Sequence, residues 1–174
     1  MKIRVAGSLL APIGMMVPLA FAGEVPPENQ TQGKPPAIAN FEAKAATLLQ
    51  AIEKNDPELA MPLFFPQEAF RELKAIVKPD DYYQQLVRWF KEDIAREHER
   101  LVVQDPLKLA GVKAGGCTWK KKGSEANQIP YWSCHKTQLS VQIGSKTETL
   151  DIHTRINWGQ EWYITHLGPI PKAK

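Results

Sequence analysis

The sequence predicts an α+β domain, with helices in its first half and an antiparallel sheet in its second. Between residues 41 and about 102, apolar side chains recur every three or four positions, the period of a helix with one buried face. From residue 117 onward they recur at every second position, the period of a half-buried strand. Helices grouped ahead of a strand meander, with no alternation between the two, is the α+β order. The expected form is N-terminal helices packed on an antiparallel sheet.

The chain opens with a segment that reads as a secretory signal peptide, Met1 to Ala22. Lys2 and Arg4 form a short basic start, Val5 to Phe21 carries no charge, and Ala20-Phe21-Ala22 places small residues where a signal peptidase reads. A membrane span is the alternative. The run is barely long enough for about 30 Å of hydrocarbon and is broken by Pro12, Gly14 and Pro18. Cleavage after Ala22 removes 22 of the 174 residues and leaves 152, enough for one core. It also lowers Lys plus Arg from 22 to 20 against 19 acidic residues. A near-neutral, exported chain lacks the basic footprint of a nucleic-acid binder. The mature protein is expected in the periplasm or outside the cell, with no membrane span left.

Residues 23–39 include EVPPENQTQGKPP, with a single valine as its only aliphatic side chain. Such a stretch buries too little to fold and reads as a disordered Pro-rich leader. The domain proper runs from 40 to 170. Phe41, Ala45, Leu48, Leu49 and Ile52 define a first helix with Asn40 as its cap. Asp56-Pro57 starts a short second one, with Asp as cap and Pro in the first turn. Ala69, Phe70, Leu73 and Ile76 mark a third. The longest helix, 81 to 102, carries the stripe Tyr83, Leu86, Val87, Phe90, Ile94 and Leu101. Within it, EDIAREHER offers Asp93, Glu97 and His98 as metal ligands, but the alternating charges also fit a solvated ion-pair face such as Glu92 with Arg96. No metal or cofactor is assigned from this pattern.

QDPLKLAGVKAGG then reads as a loop. CTWKKKGSEANQIPYWSC follows, with both cysteines of the chain at its ends. Export favours a disulfide. A structural zinc would need four ligands where only His135 is added, and Cys-x16-Cys is not the spacing of a thiol oxidoreductase. With Cys117 opposite Cys134, Trp119 falls opposite Trp132 and the stretch becomes a stapled hairpin. Three further strands follow, through Leu139-x-Val141-x-Ile143, Leu150 to Trp158, and Trp162-x-Ile164-x-His166.

Register decides which residues share a face. Pairing Trp158 with Trp162 sets Ile156 against Ile164 and Thr154 against His166. A four-residue loop Gly144 to Thr147 pairs Val141 with Leu150, Leu139 with Ile152, Thr137 with Thr154 and His135 with Ile156. A two-residue loop is rejected because it sets Glu148 against Val141. One face is then aliphatic and meets the helices. The other holds Lys136, Gln138, Gln142, Asp151, His153 and Arg155 and belongs to solvent. On the helix-facing side Thr137, Thr154 and His166 form a polar row, with His135 beside it. These four are the candidate ligand-binding residues. A buried polar row must be satisfied, either by its own hydrogen bonds and water or by a ligand in a pocket. No carboxylate falls beside the histidines, so no catalytic residue is assigned. A bulge near Thr137 would separate His135 from the row.

AIEKNDPELAMPLFFPQEAF and the terminal INWGQEWYITHLG together resemble the NTF2-like superfamily. KPDDYYQQL and EANQIPYW are also similar to blocks of small exported bacterial proteins. The resemblance, over Asn40 to Leu167, implies helices packed into the concave face of a curved sheet. Because the superfamily includes isomerases, dehydratases, ligand binders and assembly domains, it does not select an activity. The expected function is a non-catalytic exported binding domain with a small pocket, for an unidentified small ligand or envelope partner. The alternatives are a small isomerase- or hydrolase-type enzyme using His135 or His166, and a cell-wall glycan binder using tryptophans. The polar outer face predicts a monomer or weak dimer.

Overall fold

A computed structural model describes residues 24–38, 41–101 and 105–170. The segment read as a signal peptide, Met1 to Ala22, and the expected cap Asn40 lie outside the described residues. Three α-helices, α1 (Phe41–Lys54), α2 (Gln67–Leu73) and α3 (Pro79–Leu101), precede five strands: β1 (Leu107–Lys113), β2 (Gly116–Lys120), β3 (Tyr131–Ile143), β4 (Lys146–Trp158) and β5 (Glu161–His166). The α+β order is as the periodicities predict.

Each helix is there for a local reason. α1 buries Ala45, Leu48, Leu49, Ala51 and Ile52 along one stripe. Asn55, at φ 50°, then reverses the chain into a 3-10 stretch, Pro57–Leu63, where the Asp56 carboxylate accepts from the Glu58 amide at 3.1 Å. α3 starts at Pro79, whose missing N–H costs nothing in a first turn. It buries Tyr83, Leu86, Phe90, Ile94 and Leu101, and the Tyr83 hydroxyl donates to the Phe65 carbonyl. No helix among the described residues is long and apolar enough to cross a membrane.

The sheet is open and antiparallel, in the order β1-β3-β4-β5, with β2 also paired to β3. β3 is long enough that β1 covers one half of its free edge and β2 the other. β1 arises where a loop was expected. Its Leu107 and Leu109 alternate, but a bulge between Leu109 and Gly111 cuts the pattern short. Beyond β5, Phe64 bridges Ile164, and the Phe65 amide donates to the Ile164 carbonyl, so the helical segment covers that edge.

Cys117 pairs with Cys134 and is bonded to it, with Trp119 opposite Trp132 as the spacing predicts. The β3–β4 register differs throughout, and the β4–β5 register differs from its turn to Arg155, while Thr154 faces His166 as expected. Both hairpins use two-residue turns, Gly144-Ser145 and Gly159-Gln160, each opened by a glycine at positive φ (57° and 59°). Such turns suit the twist of the strands. Val141 does face Glu148, which lies at the end of the sheet and reaches toward Arg100 of α3. The slip is two residues, so aliphatic positions stay inside, and Leu139 faces Leu150. At the last hairpin Trp158 faces Glu161, Ile156 faces Tyr163 and Arg155 faces Ile164.

The leader is packed, contrary to its composition. Asn29 is fully buried: its Nδ2 donates to the Pro130 carbonyl at 3.1 Å and its Oδ1 accepts from the Gly159 amide at 2.7 Å. Further on, the Pro36 carbonyl accepts from the Trp162 indole, and Ile38 packs on Trp132, Cys134 and Trp162. A few specific contacts with the sheet thus do what an internal apolar core would otherwise do.

Candidate functional site

Two local irregularities shape the centre of the sheet. Lys136 has φ 57° and interrupts the β3–β4 ladder opposite His153, while Thr165 is an extra residue on β5 beside Arg155. They turn the strands so that Ile152 and Arg155, three apart, line one cavity beside α1. Thr154 and Ile156 instead line a larger cavity near α2 and α3. Gly115 makes the bend possible. A Cβ there would sit 1.7 Å from the His135 carbonyl oxygen, so only glycine fits.

The larger cavity has a volume of about 420 Å³, within the range of small-ligand pockets. Phe70, Ile76, Leu86 and Ile156 give it apolar walls. Tyr82 and Ile170, 40% and 50% exposed, stand among its lining residues and leave apolar surface in contact with solvent. One end is closed by the β2–β3 loop, which pairs with the chain after α2 through Ala75–Ala126 and Gln128–Leu73 backbone bonds. There Lys74 donates to the Glu125 carbonyl, and the Tyr131 hydroxyl donates to the Glu125 carboxylate at 2.5 Å. Burial pushes the Lys74 ammonium below its usual range, although Glu125 opposes the shift. Burial would raise Glu125, but the hydrogen bonds from Lys120 and Tyr131, helped by both lysine charges, lower it overall.

The other end is polar. His135 faces Thr154, and Thr154 faces His166, in one row across β3, β4 and β5. Three of the four sequence-predicted residues therefore converge. Thr137 does not: it is fully buried on the far side of the Lys136 irregularity and accepts from Arg155 Nε at 3.1 Å. His153, assigned to the solvent face by strict alternation, joins the row instead. Its ring lies 6.4 Å from that of His135 and 6.5 Å from that of His166, and its Nδ1 is 2.9 Å from Thr154 Oγ1. Arg155, assigned to the same solvent face, is 1% exposed. Ser133, not singled out by the sequence, is buried with its Oγ 3.1 Å from His135 Nε2. Strict alternation misplaces the residues of the kinked segment because it holds only for an unbroken strand.

The proton positions follow from the network. Burial, with His153, Lys74 and His135 nearby, draws His166 down to about 4, so its ring is neutral at neutral pH. Its Nδ1 is 3.3 Å from Thr165 Oγ1, whose hydroxyl donates to the Thr154 carbonyl. A hydroxyl has one proton to give: with that proton on the Thr154 carbonyl, Nδ1 carries the His166 proton and donates to Thr165. Nε2 is then a bare acceptor. It is buried and has no hydrogen-bond partner among the described residues, while His166 lines the cavity. His135 is likewise lowered, by burial first and then by Lys120 and His153. Its Nδ1 is 3.3 Å from Thr154 Oγ1. No carboxylate hydrogen-bonds any of the three rings among the described residues.

The side chains of the EDIAREHER segment are used structurally. Asp93 pairs with Arg96 and accepts from the Gly168 amide, Glu97 pairs with Arg100, and His98 Nδ1 is 2.8 Å from the Ile52 carbonyl. The pairs stand three apart, where four was expected. Among the described residues no three His, Cys, Asp or Glu side chains are grouped as metal ligands. None of the five tryptophans is exposed; Trp132 and Trp162 are buried, and Trp119 packs on Trp132 with ring centres 5.5 Å apart.

Compared with protein-family models, curated proteins and solved structures, the chain matches none.

Proposed function

We propose that the mature chain is an exported, non-catalytic binding domain whose pocket between α2, α3 and the sheet takes a small, largely apolar ligand. The observation that carries this is a cavity of about 420 Å³ lined by His135, Thr154 and His166 among apolar side chains, with the His166 Nε2 buried beside it and unpartnered among the described residues. A native buried acceptor without a partner asks for one. Because Nε2 is an acceptor, the matching ligand group is a donor, a hydroxyl or an amide N–H, attached to an apolar body that fits against Phe70, Leu86 and Ile156. The disulfide and the signal-peptide pattern together support export to an oxidising compartment. The order of helices and sheet supports the NTF2-like resemblance as a proposal for ancestry.

The test is an unbiased metabolite and muropeptide screen on the mature domain by ligand-observed NMR. Hits carrying a hydroxyl or N–H donor are expected. A screen with no hit, or with hits that survive His166→Leu unchanged, rejects the reading.

One observation favours an enzyme of hydrolase type instead: Ser133 Oγ lies 3.1 Å from His135 Nε2, with Thr154 on the other ring nitrogen. Threonine carries no charge to stabilise an imidazolium, as the carboxylate of a catalytic triad does. Fluorophosphonate labelling of Ser133 that disappears in His135→Ala would establish that alternative; no labelling is expected.

A further inference from the structure

The end of the large cavity opposite the histidines carries an unbalanced charge. Lys74 is half-buried and lines the cavity beside Glu125 and Tyr131. Its ammonium has three protons to give. One goes to the Glu125 carbonyl at 3.0 Å. Another goes, at 3.4 Å, to the Tyr131 hydroxyl, whose own proton is held by the Glu125 carboxylate. The third meets no acceptor among the described residues. The Glu125 carboxylate pairs with Lys120 at 2.5 Å, and Lys74 forms no ion pair among the described residues. Two lysines thus share one glutamate, which leaves one positive charge in excess. Among the described residues no other acid lines the cavity.

A surface lysine ordinarily packs its stem and extends its head into water. The Lys74 head is instead turned back over the buried Tyr131 ring, 5.5 Å from its centre. Poor hydration there is why burial draws the ammonium below its usual range. An anionic group on a ligand would accept the third proton and supply the missing charge. One excess charge suits a monoanion, whereas a phosphate dianion would leave its second charge unpaired among apolar walls. The histidine end offers neutral partners, which suit a hydroxyl or an amide. On the reading of this cavity as a ligand pocket, we infer that its ligand is a small amphipathic carboxylic acid, with the carboxylate on Lys74, the apolar body against Phe70, Ile76 and Leu86, and a neutral hydrogen-bonding group at the histidines.

Calorimetric titration of the mature chain at neutral pH tests this, using ω-hydroxy hexanoate, octanoate and decanoate, each against the diol of the same length. The best-fitting acid is expected to bind about tenfold or more tighter than its diol, the effect of one charged hydrogen bond. Lys74→Met, which keeps the stem and removes the charge, should bring acid and diol to near parity. Lys121→Met, at an exposed position of the neighbouring loop, should keep the preference. Equal binding of acid and diol to the wild type overturns the inference and leaves the pocket reading standing. A preference that survives Lys74→Met, or that Lys121→Met also removes, overturns it as well. Binding by neither member of any pair overturns both. Should Lys74→Met not fold, the ¹³Cε resonance of Lys74 in the wild type decides: it must move with the acid and not with the diol.

Discussion

His166 concentrates the chemistry of the pocket in one ring. Its folded value of about 4, against 6.5 in an unfolded chain, ties stability to pH with a definite sign. Above pH 6.5 neither state binds the proton and stability is full. As pH falls from 6.5 toward 4, the unfolded chain takes up the proton first, and stability drains away. Between pH 7 and pH 5 this amounts to about 2 kcal/mol. Urea midpoints at the two pH values should show that loss in the wild type. His166→Leu should show a smaller one, since only His135, also lowered, would remain. At pH 7 the same substitution should cost little, because Nε2 bonds no protein atom and only the 3.3 Å contact to Thr165 is lost. The convergence of His135, Thr154 and His166 is legible in the sequence because the β3–β4 register is off by two residues, which preserves parity, and Thr154 does face His166. Ser133, His153 and Arg155 were not, because nothing in the residue string announces that Lys136 adopts φ 57°.

At the next scale, the bend in the sheet rests on Gly115, in the turn between β1 and β2. With only 1.7 Å between a Cβ at this position and the His135 carbonyl oxygen, Gly115→Ala forces backbone apart and not merely a side chain. The expected cost is about 3 kcal/mol or more, read as a lower urea midpoint at unchanged slope. A change near zero would mean that the bend relaxes freely. The disulfide works in the same hairpin. Reducing it reopens a loop of 17 residues and should cost about 3 kcal/mol on the chain-entropy estimate. Element order, the helix stripes and the Cys117–Cys134 pairing were all readable, since each depends on a repeating period or a fixed spacing. β1 was not, because its alternation lasts three residues before a bulge. The two hairpin turns differ from expectation for another reason. Excluding Glu148 from the partner position of Val141 assumed that the sheet end is covered, whereas Glu148 is exposed and reaches Arg100.

In the molecule as a whole, the helices and the leader both pack against the sheet, the leader at its hairpin end around Asn157, Gly159 and Trp162. Asn29→Ala would leave the Gly159 amide and the Pro130 carbonyl without their buried partner, a loss of about 1 to 3 kcal/mol by urea unfolding. A leader that merely tethers the domain would give no change. This docking was hidden in the sequence because composition reports how much apolar surface a segment has, not how well one asparagine fits. The outer face left over displays Lys136 and Asp151, so light scattering at micromolar concentration should find a monomer or a weak dimer. The claim on which the functional account depends is that His166 presents a bare Nε2 to a ligand. A long-range ¹H–¹⁵N spectrum of the mature domain at neutral pH, recorded without and with a compound from the binding screen, reads that nitrogen directly. The account predicts the Nδ1–H tautomer in the free protein and a ligand-dependent shift confined to Nε2. A proton found on Nε2, or an Nε2 resonance unmoved by a bound compound, would contradict it.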